Sequence, residues 1–310
     1  MQNRSKVLIG LLVLLLLLLI FLYRIFYPRH NLGNMLTVDS GESLSELRSD
    51  LDLLGVSTSY PTARILFRVN GSKLQAGTYD FSKSVSLSTI MKSVANGLNT
   101  VPATEFVIPE GFSNQKILDR ISEITAKDES LSIDINVFAD LIKDDEGYLF
   151  PDTYYIYPET TAEDLYRIMI DNYKKQTESF SPALSRDEVI IASIIEREVS
   201  NDEDRSLVSD ILWRRLEIGM RLQVDASLDY YLDKASDEIT KSELESDHPY
   251  NTYRRDGLPP TPIANPGLAS LKAARNPTPN QYLFYLSADD GTTYYASDLE
   301  GHKQNRELYL

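Results

Sequence analysis

A short stretch in the middle of the chain is almost wholly apolar. Five of the six residues 190–195 are apolar, so a helix here is expected inside a domain rather than at its surface. Ser185 followed three residues later by Glu188 is a capping-box pattern. The sequence therefore predicts a buried helix that begins near Arg186.

Two glutamates stand at the end of this predicted helix. Glu196 and Glu198 are two positions apart, roughly 200° around a helix with 3.6 residues per turn, so they cannot share a face. Only one of them can then look into a cleft. A lone carboxyl group in a half-buried cleft has a raised pKa and holds its proton near neutral pH, which is what a general acid requires.

A second apolar segment lies at the amino terminus. Residues 7–22 carry no charge and, with Tyr23, Ile25 and Phe26, approach the roughly 20 residues that span a bilayer. A cleavable signal peptide is the alternative, but no small-residue cleavage site follows, so an uncleaved membrane anchor is favoured. The flanking basic residues are balanced and do not give its orientation by themselves.

The next patterns alternate between strand and helix. A strand at 36–38, helices at 44–54 and 62–69, and a strand at 75–81 follow in about 45 residues. This order is that of a small LysM-like module, for which two roles stay open, carbohydrate binding and a purely structural one. With a helix at 85–96, the module is assigned to residues 31–105, after a cytoplasmic tip and transmembrane anchor at 1–30.

The remaining residues, 106–310, are predicted to form a mixed α/β catalytic domain, which makes the fold class α+β. Helices are predicted near 112–124, 162–176 and 268–274, and after a capping pattern at 200–203. Residues 146–154 are rich in aromatic and turn residues, which predicts an ordered loop. A hairpin is predicted from 282–287 and 292–296.

Composition removes several classes of chemistry. With 46 acidic and 31 basic residues the formal charge is −15, which argues against nucleic acid as a partner. The chain has no cysteine, so disulfides, thiolate catalysis and cysteine zinc sites are excluded. His30, His248 and His302 show no metal-ligand spacing, and no cofactor motif occurs. Neither a metal nor a cofactor is therefore expected, and carboxylate chemistry remains.

Three segments together carry a family resemblance: 194–198 (Ile-Ile-Glu-Arg-Glu), 219–226 (Gly-Met-Arg-Leu-Gln-Val-Asp-Ala), and 250–253 (Tyr-Asn-Thr-Tyr) with the Pro/Gly-rich 257–267. In this order they closely resemble the YceG-like family, the endolytic murein transglycosylases, which are single-pass membrane enzymes. Residues 74–79, 109–111 and 146–153 extend the resemblance over most of the chain outside the anchor.

The chain departs from the family pattern at two positions. Val199 stands where the family usually has Thr or another small residue, and Val224 where it usually has Thr or Ser. Val199 adjoins the proposed acid, so a lost hydroxyl can alter the rate or the local hydration. Neither change touches a carboxylate, and activity is expected to be retained.

The resemblance implies that the second glutamate of the pair, Glu198, is the catalytic acid. It would protonate the bond between N-acetylmuramic acid and N-acetylglucosamine within peptidoglycan strands. It would then act as a base on the muramoyl 6-hydroxyl, which attacks C1 and gives a 1,6-anhydro end without consuming water. This lyase reaction needs one carboxylate, whereas most glycoside hydrolases need two.

The other candidate residues each have two interpretations. Gln223, Asn251 and Tyr253 are candidates for substrate binding, through amides and a sugar-stacking ring, or are parts of the loop architecture. Asp225 positions loops or substrate, or else activates water in a hydrolytic muramidase with Glu198. Glu196 is expected to be structural, paired with an arginine such as Arg214 or Arg215. Tyr148 is expected to pack against other aromatic residues rather than line the cleft.

The resemblance also gives an orientation, because peptidoglycan lies outside the cytoplasmic membrane. The amino terminus is then cytoplasmic, residues 7–26 contact the lipid bilayer, and the remainder is extracytoplasmic. Candidate partners are glycan strands, and peptidoglycan synthases and division or elongation proteins. A non-catalytic scaffold that binds glycan or recruits such proteins is the alternative from another class.

Overall fold

The computed structural model describes most of the chain after residue 34. Described are residues 35–309 except 40, 57, 72, 82–84, 99, 102, 159, 200, 235–238 and 289–290, together with 13–16, 19–20, 22–23 and 26. Much of the predicted anchor at 7–26 lies outside the described residues. Within the described part of the chain, no helix combines the length and the apolar character needed to cross a bilayer. The residues form two compact units, Met1–Thr104 and Glu105–Leu310.

The first unit contains a two-stranded antiparallel sheet with helices between its strands. Its elements are β1 (Met35–Val38), α1 (Leu44–Leu53), α2 (Tyr60–Asn70), β2 (Gly77–Asp80) and α3 (Leu87–Asn96). Leu36 pairs with Tyr79 across the sheet, and both side chains are buried against Leu47 and Ile90. The predicted order of strand, helix, helix, strand and helix is confirmed for this unit.

The second unit opens with a small sheet and three helices around one hydrophobic cluster. The elements are β3 (Thr104–Val107), α4 (Asn114–Lys127), α5 (Ile135–Ile142), β4 (Thr153–Ile156) and α6 (Ala162–Thr177), with β3 beside β4. Phe106, Ile117 and Phe138 bring a strand and two helices into this cluster. The sequence did not predict α5 or β4, and β4 occupies the end of the segment that was expected to be a loop.

The rest of the second unit is built around the predicted buried helix. The elements are α7 (Arg186–Glu198), α8 (Asp202–Glu217), α9 (Asp225–Leu232), α10 (Lys241–Leu244), α11 (Leu268–Arg275), β5 (Phe284–Ser287), β6 (Thr293–Ala296) and α12 (Leu299–Tyr309). Every residue of 189–195 is buried, and α7 packs against α8 and α11. Ser185 and Glu188 form both hydrogen bonds of the capping box, so the predicted start of α7 is confirmed.

The beginning of α8 differs from the prediction by one residue. The residue that caps the helix is Asn201, whose side chain accepts a hydrogen bond from the backbone of Asp204, rather than Ser200. The helix ends before Gly219, whose φ of +69° is the left-handed conformation expected of a residue that ends a helix. Strands β5 and β6 form the predicted antiparallel hairpin, and α12 packs against both of them. The overall α+β class is confirmed.

Candidate active site

The buried helix α7 ends in a cavity of about 510 Å³ within the second unit. Glu198 is the last residue of α7, and its half-buried side chain lines this cavity. The cavity also receives side chains from the loop before α9, from strand β5 and from helix α12. The apolar body of α7 therefore fixes the position of a carboxyl group at the end of the helix.

Glu198 is surrounded by few but specific hydrogen bonds. The hydroxyl group of Tyr285 donates to Oε2 of Glu198 at 3.0 Å, and the backbone N–H of Ala226 also donates to the carboxylate. Ser287 donates its hydroxyl group to the backbone carbonyl of Glu198 at 3.0 Å, which satisfies a carbonyl at the end of the helix. These contacts hold the end of α7 against β5 and the start of α9.

The environment of Glu198 keeps its proton bound near neutral pH. Burial raises the pKa of Glu198 to about 7, the hydrogen bond from Tyr285 opposes this, and the negative charge of Asp225 raises it further. The partial negative charge at the end of α7 acts in the same direction, because it disfavours a carboxylate there. A carboxyl group with this pKa can both give and take a proton at neutral pH.

A second carboxylate, that of Asp225, lines the same cavity. Asp225 is the first residue of α9, where the helix dipole stabilises a negative charge. The hydroxyl group of Tyr253 donates to Oδ1 of Asp225 at 2.5 Å. Burial, and then the bond to Asp225, raises the pKa of Tyr253, so this hydroxyl group remains a donor. Asp225 and Tyr253 thus form a fixed pair beside Glu198.

Arg215 lines the cavity as a buried cation. Its side chain is 4% exposed, Nε donates to the carbonyl of Leu283 at 2.8 Å, and Nη1 donates to the carbonyl of Leu222. The guanidinium lies 5.3 Å from the centroid of the Phe284 ring and 6.0 Å from that of Tyr285. Burial lowers the pKa of Arg215, while Tyr285 and Glu198 oppose this shift. The arginine therefore belongs to the surroundings of Glu198.

This position corrects the expected partner of Glu196. Glu196 does not pair with Arg214 or Arg215; its Oε1 lies 3.4 Å from Nη2 of Arg205, and its Oε2 accepts from the backbone N–H of Gly267 at 2.9 Å. Arg214 instead forms an ion pair with Asp210 at 2.5 Å. Glu196 and Arg205 are both largely buried, so this contact joins α7, α8 and the turn before α11.

The candidate substrate-binding residues divide into two groups. Gln223, Asp225 and Tyr253 line the cavity with Glu198, and Gln223 is exposed there. Gln223 has a φ of +51° and donates its backbone N–H to the carbonyl of Thr252 at 3.1 Å. The left-handed backbone at this position turns the chain from α8 toward α9.

Asn251 does not line this cavity. Its side chain is fully buried, and its amide donates to the carbonyl groups of Leu244 and Ser246 at 3.0 and 2.8 Å. Its Oδ1 accepts from the backbone N–H of Tyr253 at 3.1 Å. The contacts of Asn251 are therefore those of loop architecture, and it acts on the site by holding Tyr253. Tyr148 packs edge-on against Tyr173, with ring centroids 5.1 Å apart.

Both departures from the family pattern lie in the hydrophobic core around α7. Val199 is 6% exposed and Val224 is 1% exposed. The backbone N–H of Val224 donates to the hydroxyl group of Thr252 at 3.0 Å. A hydroxyl group at either position would need its own partner in an apolar setting, so valine is compatible with the packing found here.

The sequence reasoning missed several residues of the cavity. Tyr285, Ser287, His302 and Arg306 were not singled out as functional, although the hairpin that carries the first two was predicted. Tyr285 is 87 positions from Glu198 in the sequence. No local spacing connects these segments, so the available signal was the aromatic content of the hairpin alone.

A larger cavity, of about 950 Å³, is lined by Glu146, Arg197, Asp229 and Tyr230 and does not include Glu198. Glu146 is buried, and burial raises its pKa to about 7. Its carboxylate accepts from the backbone N–H of Asn114, the first residue of α4, and from the hydroxyl group of Tyr230, each at 3.1 Å. These bonds join α4 to α9, so the carboxyl group of Glu146 has a structural role.

In the described residues, no group of three or more His, Cys, Asp or Glu side chains is placed to hold a metal ion.

Comparison with known proteins gives consistent results. The model of the YceG-like family matches residues 36–308. A Bacillus subtilis (strain 168) protein named endolytic murein transglycosylase is 29% identical over 304 residues, which cover 89% of this chain and 84% of that protein. A protein of the same name from Streptococcus pneumoniae D39 is 28% identical over 280 residues, which cover 76% of this chain and 51% of that longer protein. The crystal structure of a yceG-like protein from Listeria monocytogenes is similar with a TM-score of 0.54 and 28% identity, covering 87% of this chain and 98% of that one.

Proposed function

The chain belongs to the YceG-like family, and from this premise we propose that it is an endolytic murein transglycosylase, a lyase that cuts peptidoglycan glycan strands internally. The observation that carries the proposal is the placement of Glu198. Its carboxyl group ends a buried helix, lines a cavity, and has a pKa raised to about 7. Such a group suits a reaction in which one residue serves first as acid and then as base.

Glu198 alone can carry out both proton transfers of the reaction. Protonated Glu198 donates its proton to the glycosidic oxygen between N-acetylmuramic acid and N-acetylglucosamine, and the bond from C1 to that oxygen breaks. The resulting carboxylate takes the proton of the muramoyl 6-hydroxyl as O6 forms a bond to C1. The strand then ends in a 1,6-anhydro sugar, no water is consumed, and Glu198 is protonated again for the next cycle.

Within this proposal Asp225 supports Glu198 rather than activating water. Its negative charge raises the pKa of Glu198, which favours the protonated acid that begins the reaction. One of its oxygens is engaged by Tyr253 at 2.5 Å, which orients both side chains. A single acid–base residue beside a fixed, negatively charged neighbour fits a transglycosylase.

We propose that Gln223, Asp225 and Tyr253 contact the sugars. The side-chain amide of Gln223 is exposed in the cavity and can hydrogen-bond an N-acetyl or hydroxyl group. The Tyr253 ring can pack against a sugar face while its hydroxyl group stays on Asp225. Asn251 contributes indirectly, through its bond to the backbone of Tyr253.

The location of the protein is also a proposal. Residues 7–26 would anchor the chain in the cytoplasmic membrane, with the amino terminus inside and the catalytic unit outside, and the uncharged run of leucine, isoleucine and valine supports this. Such an anchor would confine cleavage to strands near the membrane. Peptidoglycan synthases and division or elongation proteins are proposed partners there.

The first unit is proposed to be a LysM-like module. The sheet of β1 and β2 with α1 and α2 between the strands supports this, because it has the βααβ order of such a module. The module can bind sugar or have a purely structural role. Comparing the binding of N-acetylated oligosaccharides by the full chain and by a chain that lacks residues 31–105 distinguishes the two roles.

Mass spectrometry of the products tests the catalytic proposal. Purified glycan strands would be treated with the full 310-residue chain, with its Glu198→Gln variant, and with the exposed control Glu203→Gln. Internal fragments with 1,6-anhydro ends from the wild type and the control, but not from Glu198→Gln, are the expected result. Reducing ends that are one water heavier would identify a hydrolase instead. Intact strands after treatment with folded wild-type protein would favour a glycan-binding scaffold.

A further inference from the structure

Three basic residues line the cavity that holds Glu198. Arg215 comes from α8, and His302 and Arg306 come from α12. His302 and Arg306 are four positions apart and so lie on one face of the helix. The Phe284 ring stands between two of these groups, 5.3 Å from the guanidinium of Arg215 and 5.3 Å from the ring of His302. The basic groups therefore form one cluster rather than three separate contacts.

No carboxylate of the described residues lies within ion-pair distance of this cluster. The ion pairs of the described residues include neither Arg215 nor His302 nor Arg306. Arg215 is 4% exposed, and its Nε and Nη1 donate to the backbone carbonyls of Leu283 and Leu222, which are neutral acceptors. The charge of Glu198 acts on Arg215 only when this acid has lost its proton. A buried cation without a paired carboxylate is unfavourable, so the arrangement is suited to an anion from outside the chain.

His302 and Arg306 also have no paired carboxylate among the described residues. Nδ1 of His302 is buried without a hydrogen-bond partner among the described residues. Burial lowers the pKa of His302, and the charges of Arg306 and Arg215 lower it further, so at neutral pH the two arginines carry the positive charge. Arg306 is exposed to the cavity. In a chain with a net charge of −15, an anionic ligand needs such a local basic group.

We propose that the cluster of Arg215, His302 and Arg306 binds a carboxylate carried on the O3 substituent of the muramoyl residue. This inference rests on the proposed function. N-acetylglucosamine is neutral, whereas muramic acid bears a lactyl ether at O3 whose carboxyl group is either free or linked to a stem peptide with its own carboxylates. The O3 substituent sits on the same sugar ring whose C1 faces Glu198, and a single cavity contains both the acid and the basic cluster.

The contacts of Arg215 alone also fit a structural clamp between α8, Leu222 and Leu283. Such a clamp does not require Arg306, which is exposed and forms no ion pair with another described residue. Arg306 is therefore the residue that separates an anion site from a structural role. Its exposure also makes its substitution compatible with folding.

Binding to an inactive protein tests the inference without turnover. The full chain with Glu198→Gln would be titrated calorimetrically with three defined murein oligosaccharides. One has free lactyl carboxylates, one has stem peptides with free carboxylates, and one has the same stems as methyl esters. We expect one carboxylate form to bind about three- to tenfold more tightly than the ester, as for a partly exposed charge contact. The form that binds more tightly identifies the source of the carboxylate.

Variants of α12 test whether Arg306 causes the preference for a carboxylate. Adding Arg306→Gln should reduce the preference for the carboxylate form and leave binding of the ester unchanged, and Arg306→Glu should reduce the preference further. Lys303→Gln, an exposed change of the same charge on α12 that does not line the cavity, should leave the preference intact. Affinity for both carboxylate forms that is no higher than for the ester, equal effects of Arg306→Gln and Lys303→Gln, or no binding of any of the three oligosaccharides would overturn the inference. Failure of the proposed function would be a different result: a folded wild-type protein that forms no 1,6-anhydro ends from any glycan strand.

Discussion

Tyr285 donates its hydroxyl group to Oε2 of Glu198 at 3.0 Å, across 87 positions of sequence. The same tyrosine ring lies 6.0 Å from the guanidinium of Arg215. Its hydrogen bond lowers the pKa of Glu198, whereas burial and the charge of Asp225 raise it. Tyr285 and Asp225 therefore act on the same proton in opposite directions, and each can be removed separately.

Replacing Tyr285 by phenylalanine should shift the pH profile to higher pH. The ring stays in place and the hydrogen bond is lost, so the pKa of Glu198 rises further above its ordinary range. Activity declines where the acid loses its proton, and this alkaline limb of kcat/KM should therefore move upward in pH. The plateau rate should fall about ten- to 100-fold, since the transition state loses one hydrogen bond to the developing carboxylate.

The measurement is the rate of anhydro-end formation from pH 5 to pH 9. Tyr309→Phe, which removes a hydroxyl group from an exposed tyrosine of α12 that does not line the cavity, is the control and should resemble the wild type. An alkaline limb that moves to lower pH in Tyr285→Phe contradicts the assigned effect of this hydrogen bond.

Replacing Asp225 by asparagine should shift the same limb in the opposite direction. The substitution removes a negative charge that raises the pKa of Glu198, while Oδ1 of asparagine still accepts from Tyr253. The pKa of Glu198 then falls, and the alkaline limb moves to lower pH. We expect a loss of about tenfold in kcat, against about 100-fold or more for Glu198→Gln, which removes the acid itself. Equal losses in the two variants, with water-derived reducing ends, would assign Asp225 to a hydrolase.

The raised pKa of Glu198 also predicts a pH-dependent gain in stability for Glu198→Gln. The folded protein holds this proton up to about pH 7, whereas the unfolded chain releases it near the ordinary value of 4.5. Between these values the folded state binds more protons, so the wild type loses stability as the pH rises. Glutamine is neutral throughout and lacks this loss.

Calorimetric unfolding at pH 4.5 and pH 8 measures the difference. The variant should match the wild type at pH 4.5 and be more stable at pH 8, by about 1–3 kcal/mol for a half-buried group. A gain of the same size at both values would mean that packing, and not the proton, is responsible. The exposed change Glu203→Gln should give no gain in stability at pH 8, because a negative charge in the first turn of α8 stabilises that helix.

The local parts of this fold could be predicted from the sequence. The start of α7 followed from Ser185 and Glu188, because a capping box is encoded within four residues. Of the described helices, α5, α9, α10 and α12 were not predicted, although Asp134 caps α5 and Thr240 caps α10. Helix α9 has no side-chain cap, and α12 buries none of its residues, so neither a cap nor an apolar face marked these elements.

The contacts between distant segments could not be predicted in the same way. Helix α7 ends at Glu198 and α8 begins at Asp202, so the first turn of α8, with Arg205, lies beside Glu196. Arg214 and Arg215, in the last turn of α8, lie several turns away from Glu196, and Arg215 lines the cavity of Glu198. A spacing rule along one helix cannot give this result, because it depends on the angle between two helices.

Gly147 gives a prediction in which backbone and packing effects are separated by a matched control. Its φ is +91°, and a Cβ atom would lie 2.7 Å from the Pro262 ring and 2.9 Å from Val189 of α7. Its backbone N–H donates to Oδ1 of Asn265 at 3.0 Å, so the loop cannot move away without losing this bond. Gly257 has a similar φ of +86°, but nothing lies within 4 Å of its added Cβ.

Both alanine substitutions introduce the strain of a left-handed residue, about 1–2 kcal/mol, and only Gly147→Ala adds overpacking of about 1–3 kcal/mol. We therefore expect Gly147→Ala to lower the free energy of unfolding of the Glu105–Leu310 unit by about 2–5 kcal/mol, and Gly257→Ala by about 1–2 kcal/mol. Because Val189 belongs to the helix that carries Glu198, Gly147→Ala should also reduce kcat, whereas Gly257→Ala should not. Scanning calorimetry with a parallel activity assay tests both effects. An equal loss of unfolding free energy in the two variants would show that the contact with Pro262 adds no destabilisation.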